Sequence, residues 1–578
     1  MAAKTVADQL VEFLTGLGVE RIYGLVGDSL NPVSHSLRRQ SALEWVDVHN
    51  EESAAFAAAA ESRLTGKLAV CAGSCGPGNT HLIQGLYDAN RSGSKVLAIA
   101  SHIPSGQIGT SYFQETHPGE LFREASVYCE VANSARQAAR ILHIATQTAI
   151  ARSGVGVLVL PGDVAAAPAV DAPALGAISV RPPVHVPAPE AVEEIAQHLN
   201  AATKVTLFVG AGVRGAHDQV MALAEALKAP VGHALGGKEW IQYDNPYEVG
   251  MSGLLGYGAA YEATRKADAV VLLGTDFPYD QFLPDKTLIQ IDRYGERLGR
   301  RAKLDVAVEG DVAATIDALL PKLVVKTDRG FLDDMLRAHC NKLEKVVAAY
   351  TKNVEKHTPI HPEFVASVLD ELADDDAVFT VDTGMCNVWA ARYITPNGKR
   401  RVIGSWHHGT MANALPHAIG ASCAYPHRQV VSMSGDGGLA MLLGELLTVV
   451  EHKLNTKILV FNNSTLGMVR LEMLVDAMPA WGTDRPSTDY AAIAQAAGIP
   501  SVRITDPARV REDLGAALAA KGPMLIDVVT DPNALSIPPH ITGEQLQGFA
   551  MAASRTVLDG GVGTMIKLAR SNLRNIPR

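Results

Sequence analysis

Residues 434–464, SGDGGLAMLLGELLTVVEHKLNTKILVFNNS, leave a chain few ways to fold. An apolar strand breaks at Gly-Asp-Gly-Gly. The helical stretch LAMLLGELLTVVEH follows, and a second apolar strand, TKILVF, stops at Asn462-Asn463. Two apolar strands joined by a helix form a parallel crossover. Apolar runs without alternation belong to strands buried on both faces. Neighbouring strand ends in such a sheet lie about 5 Å apart, so the two loops open side by side.

The same pattern recurs along all 578 residues. LAVCAG, KVLAIAS and VGVLVLPGDV read as buried parallel strands separated by helices. KVTLFVGAGVRGA begins a second unit that continues through DAVVLLGTDFP and KTLIQIDRYGE. A polar helical stretch over 331–355 leads to a third, with AVFTVDTG, RQVVSMSGDGG, TKILVFNNS and GPMLIDVVT. The predicted class is α/β, with three doubly wound parallel-sheet domains and a C-terminal tail. Their expected limits are 1–182, 183–335, 336–531 and 532–578, and a Pro/Ala-rich linker falls in 165–190. The first and third units read as a possible duplication.

Bulk properties exclude some functions. Net charge is −10 and there is no basic block, which argues against nucleic acid as a partner. Six scattered cysteines form no CxxC pair, which argues against a disulfide framework or zinc site and fits a reducing cytoplasm. Cys71 and Cys75 read as buried neutral thiols. MAAKTVADQLVEFL reads as an amphipathic helix rather than a signal peptide. No apolar run is long enough to span a bilayer.

Glycines at 435, 437 and 438 allow a sharp turn and close approach to a ligand. A helix N-terminus suits a phosphate, yet Asp436 would repel a bare one. A divalent cation between them resolves the conflict, because Mg²⁺ takes one or two carboxylates plus phosphate oxygens. The Asn463 amide oxygen, from the next strand end, can reach the same ion. Taken singly, each loop is also ordinary turn chemistry.

This Gly-Asp-Gly to Asn-Asn arrangement resembles the signature of thiamine diphosphate-dependent enzymes. The resemblance implies Mg²⁺ held by Asp436, Asn463 and the carbonyl of Thr465. It also implies cofactor contacts at Gly437, Gly438, Ser464, Leu466, Gly467, Met468 and Val469. In VDVHNEESAAFAAAAES it points to Glu51, rather than Glu52, as the acid hydrogen-bonded to the aminopyrimidine ring. An acid at a helix N-terminus is otherwise explained by the helix dipole. WHHGTMANALPHAIGA resembles the loop in which a carbonyl, here Gly409, accepts from that ring. Thr410 is beside it, and Met411 would prop the cofactor into its bent shape; core packing is the alternative for Met411. In the family the glutamate and the metal loop meet across a dimer interface, which implies a homo-oligomer, a tetramer by expectation.

Longer motifs narrow the resemblance. CAGSCGPGNTHLIQGLYDAN, IGTSYFQETHPGELFRE, VGHALGGKEW, YDNPYEVGMSGLLG and LGTDFPYDQF together resemble the quinone-linked pyruvate dehydrogenases, a bacterial pyruvate oxidase type. The three domains would then be pyrimidine-binding, FAD-binding and diphosphate-binding. FAD contacts carried over by motif are Ser252, Gly253, Leu254, Leu255, Thr275, Asp276, Phe277, Pro278, Tyr279 and Asp292. GAGVRG, at 210–215, fits GxGxxG, but the acid expected about twenty residues on is absent, which argues against NAD. That segment is a turn near FAD or a plain strand–helix turn. Phe113, Gln114 and Glu472 would line a pyruvate pocket, with a core aromatic and solvated polar groups as alternatives. Met468 stands where relatives carry an aromatic thought to assist electron transfer. His81, His102 and His117 are further acid–base candidates; single histidines are more often structural, and none is assigned.

The implied reaction is oxidative decarboxylation of pyruvate to acetate and CO₂, with electrons passing through FAD to a membrane quinone. A lipid-soluble acceptor implies contact with the bilayer surface. In GGVGTMIKLARSNLRNIPR, Val562, Met565, Ile566, Ala569 and Leu573 share a helical face beside Lys567, Arg570 and Arg574. A cytoplasmic protein, peripheral on the inner face of the cell membrane, is expected. Three other readings remain open: a phosphate- and O₂-dependent oxidase making acetyl phosphate, an acetolactate synthase, and a non-catalytic cofactor-loaded regulatory protein.

Overall fold

The computed structural model describes residues 4–170, 178, 183–535, 568, 570–572 and 574. Three sheets carry the fold. The first holds β1 (Arg21–Gly24), β2 (Glu44–Asp47), β3 (Ala69–Gly73), β4 (Val96–His102), β5 (Tyr128–Val131) and β6 (Val155–Pro161), in the order β2-β1-β3-β4-β6-β5. All its pairings are parallel. The second holds β7 (Val205–Val209), β8 (Val231–His233), β9 (Glu248–Met251), β10 (Tyr257–Gly258), β11 (Ala269–Leu273), β12 (Thr287–Asp292) and β13 (Val306–Glu309). Its order is β10-β9-β8-β7-β11-β12-β13, and only β9–β10 is antiparallel. The third holds β14 (Val378–Val381), β15 (Arg401–Gly404), β16 (Val430–Gly435), β17 (Thr456–Asn462), β18 (Ser501–Ile504) and β19 (Met524–Val529), in the order β15-β14-β16-β17-β19-β18. First and third orders are the same when each sheet is numbered from its own first strand. In the second sheet the chain enters at central β7 and reverses direction between β7 and β11. Such switch points are where open α/β sheets bind ligands.

The helix expected after Gly438 is two helices, Asp436–Met441 and Glu445–Glu451. Gly444 sits in the break, where a Cβ would make an ordinary 3.8 Å contact with the His49 Cβ. The break also lets Glu445 accept from the His49 backbone N–H at 3.2 Å.

Three helices join the first and third domains. The helix Glu51–Thr65 is almost wholly buried, which explains its run of alanines. It packs between the helices Pro77–Arg91 and Ala414–Ala424. A Cβ on Gly420 would stand 2.1 Å from the Ala57 carbonyl oxygen. Gly420→Ala is therefore expected to cost about 1–3 kcal/mol by overpacking. An unchanged urea midpoint would contradict that packing.

The membrane-surface helix expected within 560–578 lies outside the described residues, except at 568, 570–572 and 574. These five dock on the third domain. Leu568 packs with Leu471, Leu474 and Leu535. Ser571 Oγ donates to Asp531 at 2.5 Å, and the Ser571 carbonyl lies 3.2 Å from His361 Nε2. Among the described residues no helix is long and apolar enough to cross a membrane. Burial lowers the His361 pKa from 6.5 to about 4. Between those values the unfolded chain binds more protons than the folded one, so stability falls as pH falls through this window. The shift corresponds to about 3 kcal/mol. Urea unfolding of wild type should weaken between pH 6.5 and 4 by more than that of His361→Gln.

Candidate active site

β16 ends at Gly435 and the helix Asp436–Met441 starts at once, while β17 beside it ends at Asn462. Asp436 is buried. Burial pushes its carboxyl up to about 6, and backbone N–H groups of Gly437 and Ser464 donate to it and pull the other way. The carboxylate thus touches both loops. Tyr490 Oη donates to the Asp436 carbonyl at 2.8 Å. Asn463 Oδ1 accepts from the Thr465 N–H at 3.1 Å, and Thr465 is pinned by a β-bridge to Asp484. A Cβ on Gly437 would lie 2.8 Å from Leu466 and 3.6 Å from Met411; one on Gly467 would lie 3.4 Å from the Asn463 amide. The structure therefore gathers Met411, Asp436, Gly437, Asn463, Ser464, Leu466 and Gly467 at one edge.

Among the described residues no three His, Cys, Asp or Glu side chains converge as a metal cage. One carboxylate, one amide and one carbonyl suit an ion that completes its shell with phosphate and water, as Mg²⁺ does.

Asp382, at the end of β14, is a site residue that sequence reasoning did not single out. A Cβ on Gly438 would stand 1.8 Å from Asp382 Oδ2. Asn413 Nδ2 donates to Asp382 Oδ1 at 3.2 Å and to the Thr410 carbonyl at 2.8 Å. Burial pushes the Asp382 carboxyl up to about 7, although the Thr383, Asn413 and Ala412 N–H groups donate to it. Asp382 thereby ties the loop at 409–413 to Gly438. Gly409 itself has a left-handed φ of 70°.

Glu51 begins its helix under an Asn50 cap that accepts from the Glu52 N–H at 2.9 Å. The carboxylate is buried, with Oε2 2.9 Å from His81 Nδ1 and Oε1 facing Gly78. Among the described residues no hydrogen bond or ion pair joins it to loops 409–411, 436–438 or 463–465. Gln114 lies on the same side: Cys75 Sγ is 3.4 Å from its Oε1, and a Cβ on Gly76 would be 2.8 Å from its Cβ. Phe113 is 77% exposed.

The residues expected to contact FAD line the ends of β9, β11 and β12. Gly253 approaches Phe277 and Tyr279: a Cβ there would be 3.2 and 3.4 Å from their rings. Ser252 Oγ is buried with no hydrogen-bond partner. The Thr275 carbonyl accepts from Gln290 Nε2 at 3.1 Å, and Asp276 faces Arg300 and Arg301 at 3.4 and 3.5 Å. Leu254 and Pro278 are exposed, and Leu255 packs on the core. Asp292 is buried, which raises its carboxyl pKa, and accepts from the Tyr294 N–H at 2.9 Å. The glycine-rich segment at 210–215 packs loop on loop at the switch point, since the Gly212 N–H donates to the Gly274 carbonyl at 2.9 Å.

Residues 4–121, 192–319 and 382–528 match the N-terminal TPP binding, central and C-terminal TPP binding domains of thiamine pyrophosphate enzymes. The putative thiamine pyrophosphate-containing protein YdaP of Bacillus subtilis is 34% identical over 95% of this chain and 96% of its own length. The chain belongs to the thiamine pyrophosphate enzymes. Other members of the family similar to it include a pyruvate oxidase of Lactiplantibacillus plantarum (29% identical; 90% of this chain, 87% of the relative) and an acetolactate synthase of Arthrospira platensis (30%; 91% and 94%).

In this thiamine pyrophosphate enzyme the helix Gly467–Val475 begins directly after the loop at 463–466. Met468 and Leu255 pack against the same core cluster. Glu472 is half-buried, which raises its carboxyl pKa, and its charge acts on the Tyr279 hydroxyl. Val469 is exposed. The loop with Gly409, Thr410 and Met411 is held from the first domain: Gln84 Nε2 donates to Thr410 Oγ1 at 2.7 Å. No local sequence signal marks Gln84, because its partner lies more than 300 residues away.

Proposed function

We propose that this thiamine pyrophosphate enzyme oxidises pyruvate and water to acetate and CO₂, and that the two electrons and two protons reduce a membrane quinone to the quinol by way of FAD. The observation that carries this reading is the helix bearing Glu472. It starts directly after the loop of Asn463 and Thr465, and burial together with the charge of Glu472 raises the Tyr279 hydroxyl pKa after the end of β11, which supports two cofactors lying near one another on these loops. The unsatisfied Ser252 hydroxyl and the buried Asp292 carboxylate fit a dinucleotide ribose and phosphate there.

When bound, thiamine diphosphate supplies a nucleophilic carbon and FAD a two-electron acceptor. Asp436, Asn463 and the Thr465 carbonyl would hold Mg²⁺, with the Asp436 carboxyl in its charged form. Glu51 of one copy would hold a proton at the pyrimidine ring of the cofactor seated on a second copy, and the Gly409 carbonyl of that second copy would accept from the same ring. Phe113, Gln114 and Glu472 enclose the 2-oxo acid. Phe113 at 77% exposure and Trp481 at 84% leave aromatic surface that a second copy would cover, consistent with a homo-oligomer, a tetramer in this proposal. The basic tail at 532–578 would carry the enzyme to the inner face of the cell membrane.

The pyruvate oxidase and acetolactate synthase relatives favour two further readings, phosphate-dependent oxidation by O₂ and carboligation of two pyruvates. Turnover of the holoenzyme with pyruvate decides among them, using a quinone or O₂, with and without phosphate and anionic lipid vesicles. Quinol and acetate without phosphate are expected. Acetyl phosphate with peroxide, or acetolactate without an acceptor, would contradict the proposal.

A further inference from the structure

The hairpin β9–β10 carries Ser252, Gly253, Leu254 and Leu255 in its turn. Gly250 and Gly258 are paired across it, with left-handed φ of 92° and 73°. The imidazole of His339 lies against this pair. A Cβ on Gly258 would stand 2.3 Å from His339 Nδ1, and one on Gly250 would stand 3.2 Å from its Cε1. His339 belongs to the helix Gly330–Lys345, outside the middle sheet. Because neither glycine has a side chain, the ring comes close enough to reach Glu248. His339 Nε2 lies 2.8 Å from Glu248 Oε2, and Glu248 Oε1 faces His233 Nε2 at 3.5 Å. His233 and His339 are buried and Glu248 nearly so, and a carboxylate withdrawn from water needs such partners. The His233 carbonyl accepts from the Ser252 N–H at 3.2 Å. A line of contacts thus runs from the helix through Glu248 and His233 to the start of the turn. At its other end Arg392 Nη2 donates to the Gly256 carbonyl at 3.4 Å.

We propose that His339 and Glu248 are positioning residues for the flavin dinucleotide: their contact fixes the base of the hairpin, and so the direction in which Ser252 and Gly253 are presented. The inference rests on the FAD reading given above. Among the described residues neither side chain makes a hydrogen bond or ion pair with residues 409–411, 436–438 or 463–465, so the thiamine diphosphate loops are built separately. The helix keeps other anchors. Lys342 Nζ is 3.0 Å from Glu262, and Met335 packs with Val249, Ala260 and Ala263. Loss of the His339 contact should therefore loosen the turn and leave the fold in place.

Dilution of the full-length holoenzyme, followed by the fluorescence of released flavin, tests this beside a titration with thiamine diphosphate and Mg²⁺. His339→Ala and His339→Asn are expected to weaken FAD by about tenfold, the scale of one lost hydrogen bond to a charged group. His339→Gln should restore near-wild-type affinity, because its amide N–H can take the place of Nε2–H. Glu248→Ala should weaken FAD at least as much as His339→Ala, and the double variant should be no weaker than Glu248→Ala, because the two side chains share one contact. Affinity for thiamine diphosphate should stay at the wild-type value throughout. If His339→Ala folds poorly, His339→Asn against His339→Gln makes the same comparison. Wild-type retention of FAD in the alanine variants, additive losses in the double variant, no restoration by His339→Gln, or an equal loss of thiamine diphosphate overturns the inference alone. A wild-type protein that binds thiamine diphosphate and carries no FAD overturns it together with the FAD reading.

Discussion

Glu51→Gln is expected to lower pyruvate turnover by about a hundredfold to ten-thousandfold, the range associated with one positioned proton-transfer group. The carboxylate is buried at a helix start, with His81 at 2.9 Å as its polar neighbour. Glutamine keeps the shape and can still face His81, so the fold should persist. What is lost is the ability to hold and release a proton at the pyrimidine ring. Because that ability matters in the transition state, kcat and kcat/KM should fall together. Acetate production under saturating cofactor measures the effect. Full turnover in Glu51→Gln would assign the proton to another group and revive a non-catalytic reading of this helix start.

Asp436→Asn is expected to move stability and binding in opposite directions. Burial raises the Asp436 carboxyl from 3.8 to about 6. A group raised in the folded state contributes stability below its unfolded value and loses it as pH rises through the folded one. At neutral pH the charged side chain therefore destabilises the apoprotein, by up to about 3 kcal/mol on that shift. Asparagine removes the charge, so the apo variant should unfold at the same or a higher urea concentration than wild type. Affinity for thiamine diphosphate with Mg²⁺ should drop about a hundredfold, at least the loss seen for partners one layer further from a metal. A chelator added to wild type should mimic the binding defect without the gain in stability. A variant that is both less stable and unimpaired in Mg²⁺-dependent binding would remove Asp436 from the metal site.

The parts of this fold that could be read in the sequence are those written in short stretches. Unalternating apolar runs such as VVSMS and TKILVF can only be buried strands, and the crossover between them puts Asp436 and Asn463 at adjacent strand ends. The alanine run after Glu51 reports a helix hemmed in on both sides. What could not be read depends on approaches between distant segments. Asp382 looks like any acid at a strand end until its carboxylate is found where a side chain on Gly438 would have to go. In the sequence His81 is one of three histidines near the loops of the first domain, with nothing to choose among them. Its meaning comes from Glu51, and that of Gln84 and Asp88 from a loop in another domain. The break at Gly444 is not legible for the same reason, since the residue after it, Glu445, accepts from the His49 N–H 396 residues away.

Anaerobic mixing of the holoenzyme with pyruvate, followed by the visible absorbance of the flavin, addresses the central claim most directly. The account predicts that pyruvate alone bleaches the flavin, that acetate and CO₂ appear in step with the bleaching, and that a quinone restores the colour. A flavin that keeps its absorbance while two pyruvates are joined would contradict it.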